Sequence, residues 1–226
     1  MALEVEQRLQ SVQDRLQEAC RAHGRKISEV RLLAVSKTFP VSAIAELAAL
    51  GQLDFGENYV QEASAKVAQM PDLRWHLIGP LQRNKARQAV ELFSVIHSVD
   101  RLELAQRLEN MAAQQNKVVD AFVQVRLGDE ASKSGLDPAQ LLSEMAQWNQ
   151  QSWKHLRIVG LMSIPAPQHS RPYFAQLRGL RDELQAAALP LFRDYQLSMG
   201  MSDDFEDAIA EGSNWVRIGR ALFGSR

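Results

Sequence analysis

Three sets of residues in this sequence could carry out chemistry together. Lys37 follows the apolar run 32–35, and an amine that loses hydration there is suited to forming a Schiff base with an aldehyde. Arg217 lies between Val216 and Ile218. If these two aliphatic side chains face the helices, the Arg217 guanidinium faces the barrel interior, where it needs an acceptor. The same patterns also fit a solvated lysine at a strand end and an arginine paired with a carboxylate. The third set lies in two loops near the C-terminus.

Those two loops suit an anion. They supply Gly200, Ser202 and Gly219. Glycine allows close backbone approach, and the free N–H groups at the start of a helix attract negative charge. We expect Ser202 to cap a helix that begins at Asp203. Asp203 and Asp204 would repel a phosphate if they turned inward, and an ordinary serine cap with an acidic first turn fits the same residues.

Short apolar runs alternate along the chain with helical patterns, which is typical of parallel strands covered by helices. An amphipathic helix at about residues 3–23 leads into them. The eight apolar runs lie at residues 32–35, 53–55, 75–78, 95–97, 118–125, 156–161, 195–199 and 215–218. Without a G-x-G-x-x-G turn after the first run, they predict a closed (β/α)8 TIM-like barrel. Because such barrels carry their working groups after the strands, all three sets converge on one mouth.

Composition excludes several classes of protein. The chain has 226 residues, 46% of them hydrophobic, and a net charge of -1, which fits a single domain over 1–226 that does not attract nucleic acid. Cys20 is the only cysteine and the five histidines form no H-E-x-x-H, so we expect neither disulfides nor a metal site. No basic leader and no run of membrane-spanning length is present. We therefore expect a cytoplasmic protein with no membrane partner.

A lysine and an arginine that face inward, together with loops suited to phosphate, predict a site for a phosphorylated aldehyde. Pyridoxal 5′-phosphate (PLP) has an aldehyde, a phosphate and a ring acceptor that match these three sets. Six stretches carry a wider pattern: AVSKTFP (34–40), DFGENYVQEA (54–63), WHLIGPLQRNK (75–85), SKSGL (132–136), GLMSI (160–164) and LSMGMSDDFEDAIAEGSNWVRIGRALFG (197–224). With them the chain resembles the pyridoxal phosphate homeostasis protein family along nearly its whole length.

The resemblance implies a fold and a set of site residues. The fold is a modified (β/α)8 barrel similar to the N-terminal domain of alanine racemase, which is PLP fold type III, with PLP held as an internal aldimine on Lys37. Arg217 would face the pyridine nitrogen. The remaining contacts implied are the phosphate partners Ser202, Gly219 and the Arg220 backbone, and the residues that line the cofactor, Asn58 and Met199.

Three positions depart from the pattern that the resemblance implies. Phe39 stands where many relatives have a second lysine, Arg126 where they have asparagine, and Arg220 where the phosphate loop often has threonine. The first removes an amine that could relay the cofactor, and the third removes a hydroxyl contact to phosphate. Lys133, in the SKSG stretch, remains as a second basic group.

The resemblance implies a protein that binds and buffers PLP, or carries it to apo forms of PLP-dependent enzymes, without established turnover. An arginine opposite the pyridine nitrogen keeps that nitrogen unprotonated and weakens the ring as an electron sink. The sequence ends soon after the eighth run, so we expect it to lack the C-terminal domain that gives alanine racemase its second base. We also expect a monomer. Two alternatives stay open: a PLP-dependent racemase or lyase with His76 or Tyr59 as second base, and a phosphate-ester enzyme using Glu57.

Overall fold

The fold is a closed parallel barrel surrounded by helices. The computed structural model describes residues 2–128, 134–165 and 170–224. Within these ranges each strand pairs in parallel with its neighbour in sequence, and β8 pairs with β1. The strands are β1 Arg31–Val35, β2 Asp54–Glu57, β3 Arg74–Leu77, β4 Val95–Val99, β5 Val119–Gln124, β6 Leu156–Met162, β7 Phe192–Ser198 and β8 Trp215–Ile218. The predicted (β/α)8 barrel is confirmed, and all strands end at one mouth.

Helices cover the outside of this barrel. In the described ranges they are α1 Ala2–Ala22, α2 Val41–Ala49, α3 Val60–Gln69, α4 Ala86–Leu92, α5 Leu102–Gln114, α6 Leu141–Trp148, α7 Ser170–Ala186, α8 Phe205–Ala210 and α9 Arg220–Phe223. The leading helix α1 buries Leu9, Val12 and Leu16 at helical spacing. It packs against α2, α8 and α9, and so covers the side of the barrel where β8 meets β1. None of the helices described is long and apolar enough to cross a bilayer.

Two apolar layers fix which way the strand side chains face. The inner layer fills the barrel and includes Leu33, Val35 and Trp215. The outer layer lies between the barrel and the helices and includes Val216 and Ile218. Because side chains alternate along a strand, the side chain between Val216 and Ile218 faces the barrel interior.

The strand β7 differs most from its expected position. The apolar pattern predicts a strand at 195–199, whereas the strand runs from Phe192 to Ser198. Its start pairs with β6 through Ile158 and Phe192, with a register shift before Gly160 pairs with Gln196. Exposed polar residues in the first half of β7 hide this start from a hydrophobicity pattern.

Candidate functional site

A cavity of about 600 Å³ opens at the barrel mouth. Its wall is formed by the ends of the strands and by the loops after β1, β2, β3, β6, β7 and β8. The lining residues are Val35, Lys37, Phe39, Asn58, Ile78, Gly79, Pro80, Ile164, Met201, Ser202, Asp203, Asp204, Arg217, Gly219, Arg220 and Gly224. Six of the seven expected site residues are therefore brought together, and Met199 is not among them.

Lys37 enters the cavity from a tightly held turn. The turn begins where Ser36 N donates to Gly56 O at 3.0 Å and closes where Phe39 N donates to Ser36 O at 3.1 Å. Thr38 has a φ of 67°, a left-handed conformation uncommon for a threonine. Within the described part of the chain the Lys37 ammonium has no hydrogen-bond or ion-pair partner. The amine is therefore available to a ligand in the cavity.

A buried charged cluster supports this turn from the α3 side. Lys66 Nζ donates to Glu57 Oε1 and Glu62 Oε1, each at 2.8 Å, and to the Ser36 carbonyl at 2.9 Å. Ser36 Oγ donates to the same Glu57 oxygen at 2.6 Å, and Thr38 N donates to Glu62. Burial raises the pKa of Glu57, against the lowering effect of Lys66 and Ser36. The cluster fixes the backbone on both sides of Lys37.

Sequence reasoning missed this cluster. Glu57 is a candidate catalytic acid on sequence alone, but one of its oxygens is taken by Ser36 and Lys66. The Glu62 and Lys66 spacing of four residues on a helix was the available signal. The contact from Lys66 back to β2 depends on how α3 packs, which a local pattern does not give.

Arg217 forms the floor of the cavity. Its side chain is buried inside the barrel, where Nη1 donates to Ser198 Oγ at 2.8 Å and Nη2 donates to the Ser163 carbonyl at 2.9 Å. Burial lowers the pKa of Arg217 to about 10, with Asp204 acting in the opposite direction. The group therefore stays charged at neutral pH. Among the described residues no carboxylate hydrogen-bonds this guanidinium, so an anionic or electron-rich ligand would complement it.

The loops after β7 and β8 meet at the start of α9. The expectation that Ser202 caps α8 is corrected. Asp204, rather than Ser202, is the cap residue of α8, and its Oδ1 accepts from Met201 N at 2.7 Å. Asp204 thus occupies the cap position that we expected for Ser202. Ser202 Oγ instead accepts from Ala221 N, at 3.5 Å. Gly219 is the cap residue of α9, so Ser202 and Gly219 lie at the same helix start, where the first amides lack partners within the helix.

The acidic residues at this edge are already engaged. Asp203 forms an ion pair with the exposed Arg220 side chain. Asp204 is buried and holds the Met201 amide. Both line the cavity, but each carboxylate has a protein partner. Their repulsion of an anion is therefore reduced rather than absent.

Met199 lies outside the cavity. It is fully buried in the outer apolar layer, with its amide donating to the Trp215 carbonyl at 3.1 Å. The expectation that it lines a ligand is corrected, because its side chain faces the helices. Met201, two residues further along the chain, lines the cavity instead.

Comparison with known proteins shows the family of this chain. The family model described as "Alanine racemase, N-terminal domain" matches residues 8–226. A pyridoxal phosphate homeostasis protein of Pseudomonas aeruginosa is 46% identical over 98% of this chain and 96% of its own length. The chain belongs to this homeostasis protein family. The Escherichia coli member is 43% identical over 96% of this chain and 95% of its own length.

Solved structures of the family and of its fold relatives are also similar. PipY of Synechococcus elongatus, solved with PLP bound, has a TM-score of 0.84 and 43% identity, and covers 97% of this chain and 100% of its own. The same protein without PLP has a TM-score of 0.86. Alanine racemase of Clostridium difficile, at 16% identity and a TM-score of 0.73 over 94% of this chain and 58% of its own, shares the fold.

The departures from the family pattern have different surroundings. Phe39 stacks on Phe223 with ring centroids 4.6 Å apart. Arg126 lines a neighbouring cavity of about 270 Å³, with its Nη2 3.7 Å from Asp137 Oδ2. Lys133 lies outside the residues that the structure describes.

The residues considered as second bases do not line the cavity. His76 is fully buried inside the barrel with both ring nitrogens hydrogen-bonded. Tyr59 precedes α3 and is 58% exposed. Glu57 is held by Lys66 and Ser36, as described above. Among the described residues, no group of three or more His, Cys, Asp or Glu side chains is arranged to hold a metal ion.

Proposed function

We propose that this chain binds PLP in the cavity at the barrel mouth and serves vitamin B6 homeostasis by holding it, without catalytic turnover. The observation that carries this proposal is that one cavity unites Lys37, Arg217 and the loops after β7 and β8. The names of relatives 46% and 43% identical over almost the whole chain support it. So does the PLP bound to PipY.

Each part of the cofactor has a partner of suitable chemistry in the cavity. The bound aldehyde would condense with the Lys37 amine and release water. Ser202, Gly219 and the Arg220 backbone would take the phosphate at the first turn of α9. Asn58 would flank the ring from the loop after β2.

Arg217 argues for holding rather than catalysis. With a pKa of about 10, its guanidinium is charged at neutral pH and donates hydrogen bonds only. A donor opposite the pyridine nitrogen keeps that nitrogen unprotonated, so the ring stabilises a carbanion poorly. Neither His76 nor Tyr59 lines the cavity as a second base. We therefore propose binding without racemase or lyase turnover.

Substitution of Lys37 tests the proposal. Wild-type protein mixed with PLP is expected to turn yellow and to keep the visible absorbance through gel filtration. Lys37→Ala removes the amine that forms the C=N bond, so it should lose that absorbance. Lys26→Ala is the matched control, because Lys26 is exposed and precedes β1 at the opposite end of the barrel. A colourless wild type after PLP addition would reject the proposal.

Three finer statements stay predictions. A monomer is expected, and gel filtration with light scattering tests it. The cytoplasmic location rests on the single cysteine of the sequence. Transfer of PLP to apo-enzymes is a separate property from storage and needs its own measurement.

A further inference from the structure

Five polar side chains form a continuous hydrogen-bonded chain through the barrel interior. It starts at Asp54 near the N-terminal ends of the strands, where Oδ1 is 2.8 Å from His76 Nε2. His76 Nδ1 is 3.0 Å from His97 Nε2, and His97 Nδ1 is 2.9 Å from Ser198 Oγ. Ser198 Oγ then accepts from Arg217 at 2.8 Å. The chain thus connects the far end of the barrel to the floor of the cavity.

When both imidazoles are neutral, the carboxylate at one end and the guanidinium at the other fix the direction of every hydrogen bond in this chain. An ionised carboxylate only accepts and a guanidinium only donates. Asp54 therefore requires a proton on His76 Nε2, which leaves Nδ1 to accept from His97 Nε2. His97 Nδ1 then accepts the Ser198 hydroxyl proton, and the Ser198 oxygen accepts from Arg217. Both imidazoles are neutral in this arrangement, and each of the four contacts joins one donor to one acceptor.

Burial and neighbouring charges favour the neutral imidazoles. His76, His97 and Ser198 are fully buried. Burial lowers the pKa of His76 against the opposing effect of Asp54, and lowers that of His97 further, with His76 and Arg217 acting in the same direction. A cation on either ring is disfavoured, so the chain keeps its direction near neutral pH.

Packing also holds the rings in place. The ring of His97 stacks on Phe122 with centroids 4.5 Å apart, and that of His76 lies 4.9 Å from Trp215. At the outer end, Arg74 Nε is 3.7 Å from the Asp54 carboxylate. A ring flip would break two hydrogen bonds inside a filled barrel.

We propose that Asp54, His76, His97 and Ser198 are positioning residues for Arg217, holding Ser198 as an acceptor so that the guanidinium keeps one orientation towards the cavity. This rests on the proposed function, because Arg217 matters there as the group that faces the pyridine nitrogen. If the Ser198 side chain rotated away, Arg217 Nη1 would lose its acceptor. Only the Ser163 carbonyl would then hold the guanidinium.

Histidine tautomers in the protein without added PLP test the hydrogen-bonded chain directly. Long-range ¹H–¹⁵N spectra at pH 7 should find His76 and His97 protonated at Nε2 and unprotonated at Nδ1. Asp54→Ala removes the acceptor at the outer end, so the ring nitrogen shifts of both histidines should move. Asp120→Ala is the matched control, because Asp120 also pairs with Arg74 but lies outside the chain. A proton on Nδ1 of either ring in wild type would overturn the proposal.

Affinity for PLP tests the consequence at the cavity. A hydrogen bond to a charged group contributes about 1.5–3 kcal/mol, so Ser198→Ala should weaken PLP binding by roughly 10- to 100-fold. Ser198→Thr keeps the hydroxyl and should restore affinity to within a few-fold of wild type. Equal affinity for wild type and Ser198→Ala would refute the positioning role. If wild type itself binds no PLP, the proposed function fails, while the tautomer result still reports on the chain.

Discussion

At the scale of single residues, Phe39 shows how one substitution changes a cavity wall. The family resemblance leads us to expect an amine at this position, whereas the chain has an aromatic ring. That ring stacks on Phe223 at an interplanar angle of 18° and lines the cavity beside Lys37. The pair joins the loop after β1 to the end of α9. An apolar contact therefore stands in the cavity wall where the resemblance implies a positive charge, and we expect this contact to contribute to stability and to ligand retention.

A double-mutant cycle tests this pair. Aromatic pairs contribute about 0.5–1.5 kcal/mol beyond their buried area, so Phe39→Leu and Phe223→Leu should show a coupling energy of about 1 kcal/mol in urea unfolding. Phe39→Leu should also release PLP a few-fold faster, because the ring is part of the cavity wall. The stacked pair of Phe192 and Tyr195 is the control. Its cycle should show coupling in stability with no change in PLP release, and additive effects at Phe39 and Phe223 would contradict the prediction.

At the scale of elements, the Lys66 cluster ties α3 to the turn that carries Lys37. Removing one partner of a buried ion pair costs about 3–5 kcal/mol because the other charge remains buried. Lys66→Met should therefore lower the free energy of unfolding by roughly that amount at pH 8. The double variant Glu57→Gln/Lys66→Met removes the two most buried charges of the cluster and leaves the partly exposed Glu62 carboxylate. It should recover most of the loss.

The pH dependence of this variant has a definite sign. The native pKa of Glu57 is already raised by burial, and loss of Lys66 removes an effect that lowers it. The native state then holds a proton more tightly than the unfolded state, so stability falls as pH rises from about 4.3 through the raised native pKa. Urea unfolding should therefore find a smaller penalty for Lys66→Met at pH 5 than at pH 8. An equal penalty at both pH values would contradict this account.

The sequence predicts elements and facing directions better than it predicts contacts between loops. Apolar alternation is a local property, and it correctly predicts that Arg217 faces the barrel interior. The expectation that Ser202 caps α8 was wrong, and its partner Ala221 lies in α9. The resemblance implied that Met199 lines the ligand, whereas Met199 shares the outward face of Leu197. His97 and Ser198 are 101 residues apart in sequence. Only the closure of the barrel brings such pairs together, so no local pattern reveals them.

At the scale of the whole molecule, exposed apolar side chains bear on how PLP leaves. Ile27, Leu53 and Val118 are 47%, 59% and 51% exposed. They precede β1, β2 and β5, so they lie at the end of the barrel opposite the cavity. Of the other large hydrophobic residues found exposed in the described ranges, Leu50 follows the end of α2, whereas Leu3, Tyr59 and Leu142 lie at or next to the first turns of α1, α3 and α6. Exposed apolar side chains are thus scattered singly over both ends of the barrel, and single exposed side chains do not mark a docking surface.

We therefore expect PLP to reach an acceptor through solution rather than by direct contact. PLP-loaded protein should reactivate the apo form of a PLP-dependent enzyme. As the concentration of that apo-enzyme increases, the reactivation rate should reach a limit equal to the rate of spontaneous PLP release. The release rate comes from the loss of visible absorbance in the presence of a small-molecule aldehyde trap. Ile27→Ser and Leu53→Ser are control variants, which should leave the reactivation rate unchanged because release is the slow step. A rate that keeps rising with acceptor concentration would require a docked complex, and these same variants would then decide whether the far end of the barrel takes part in it.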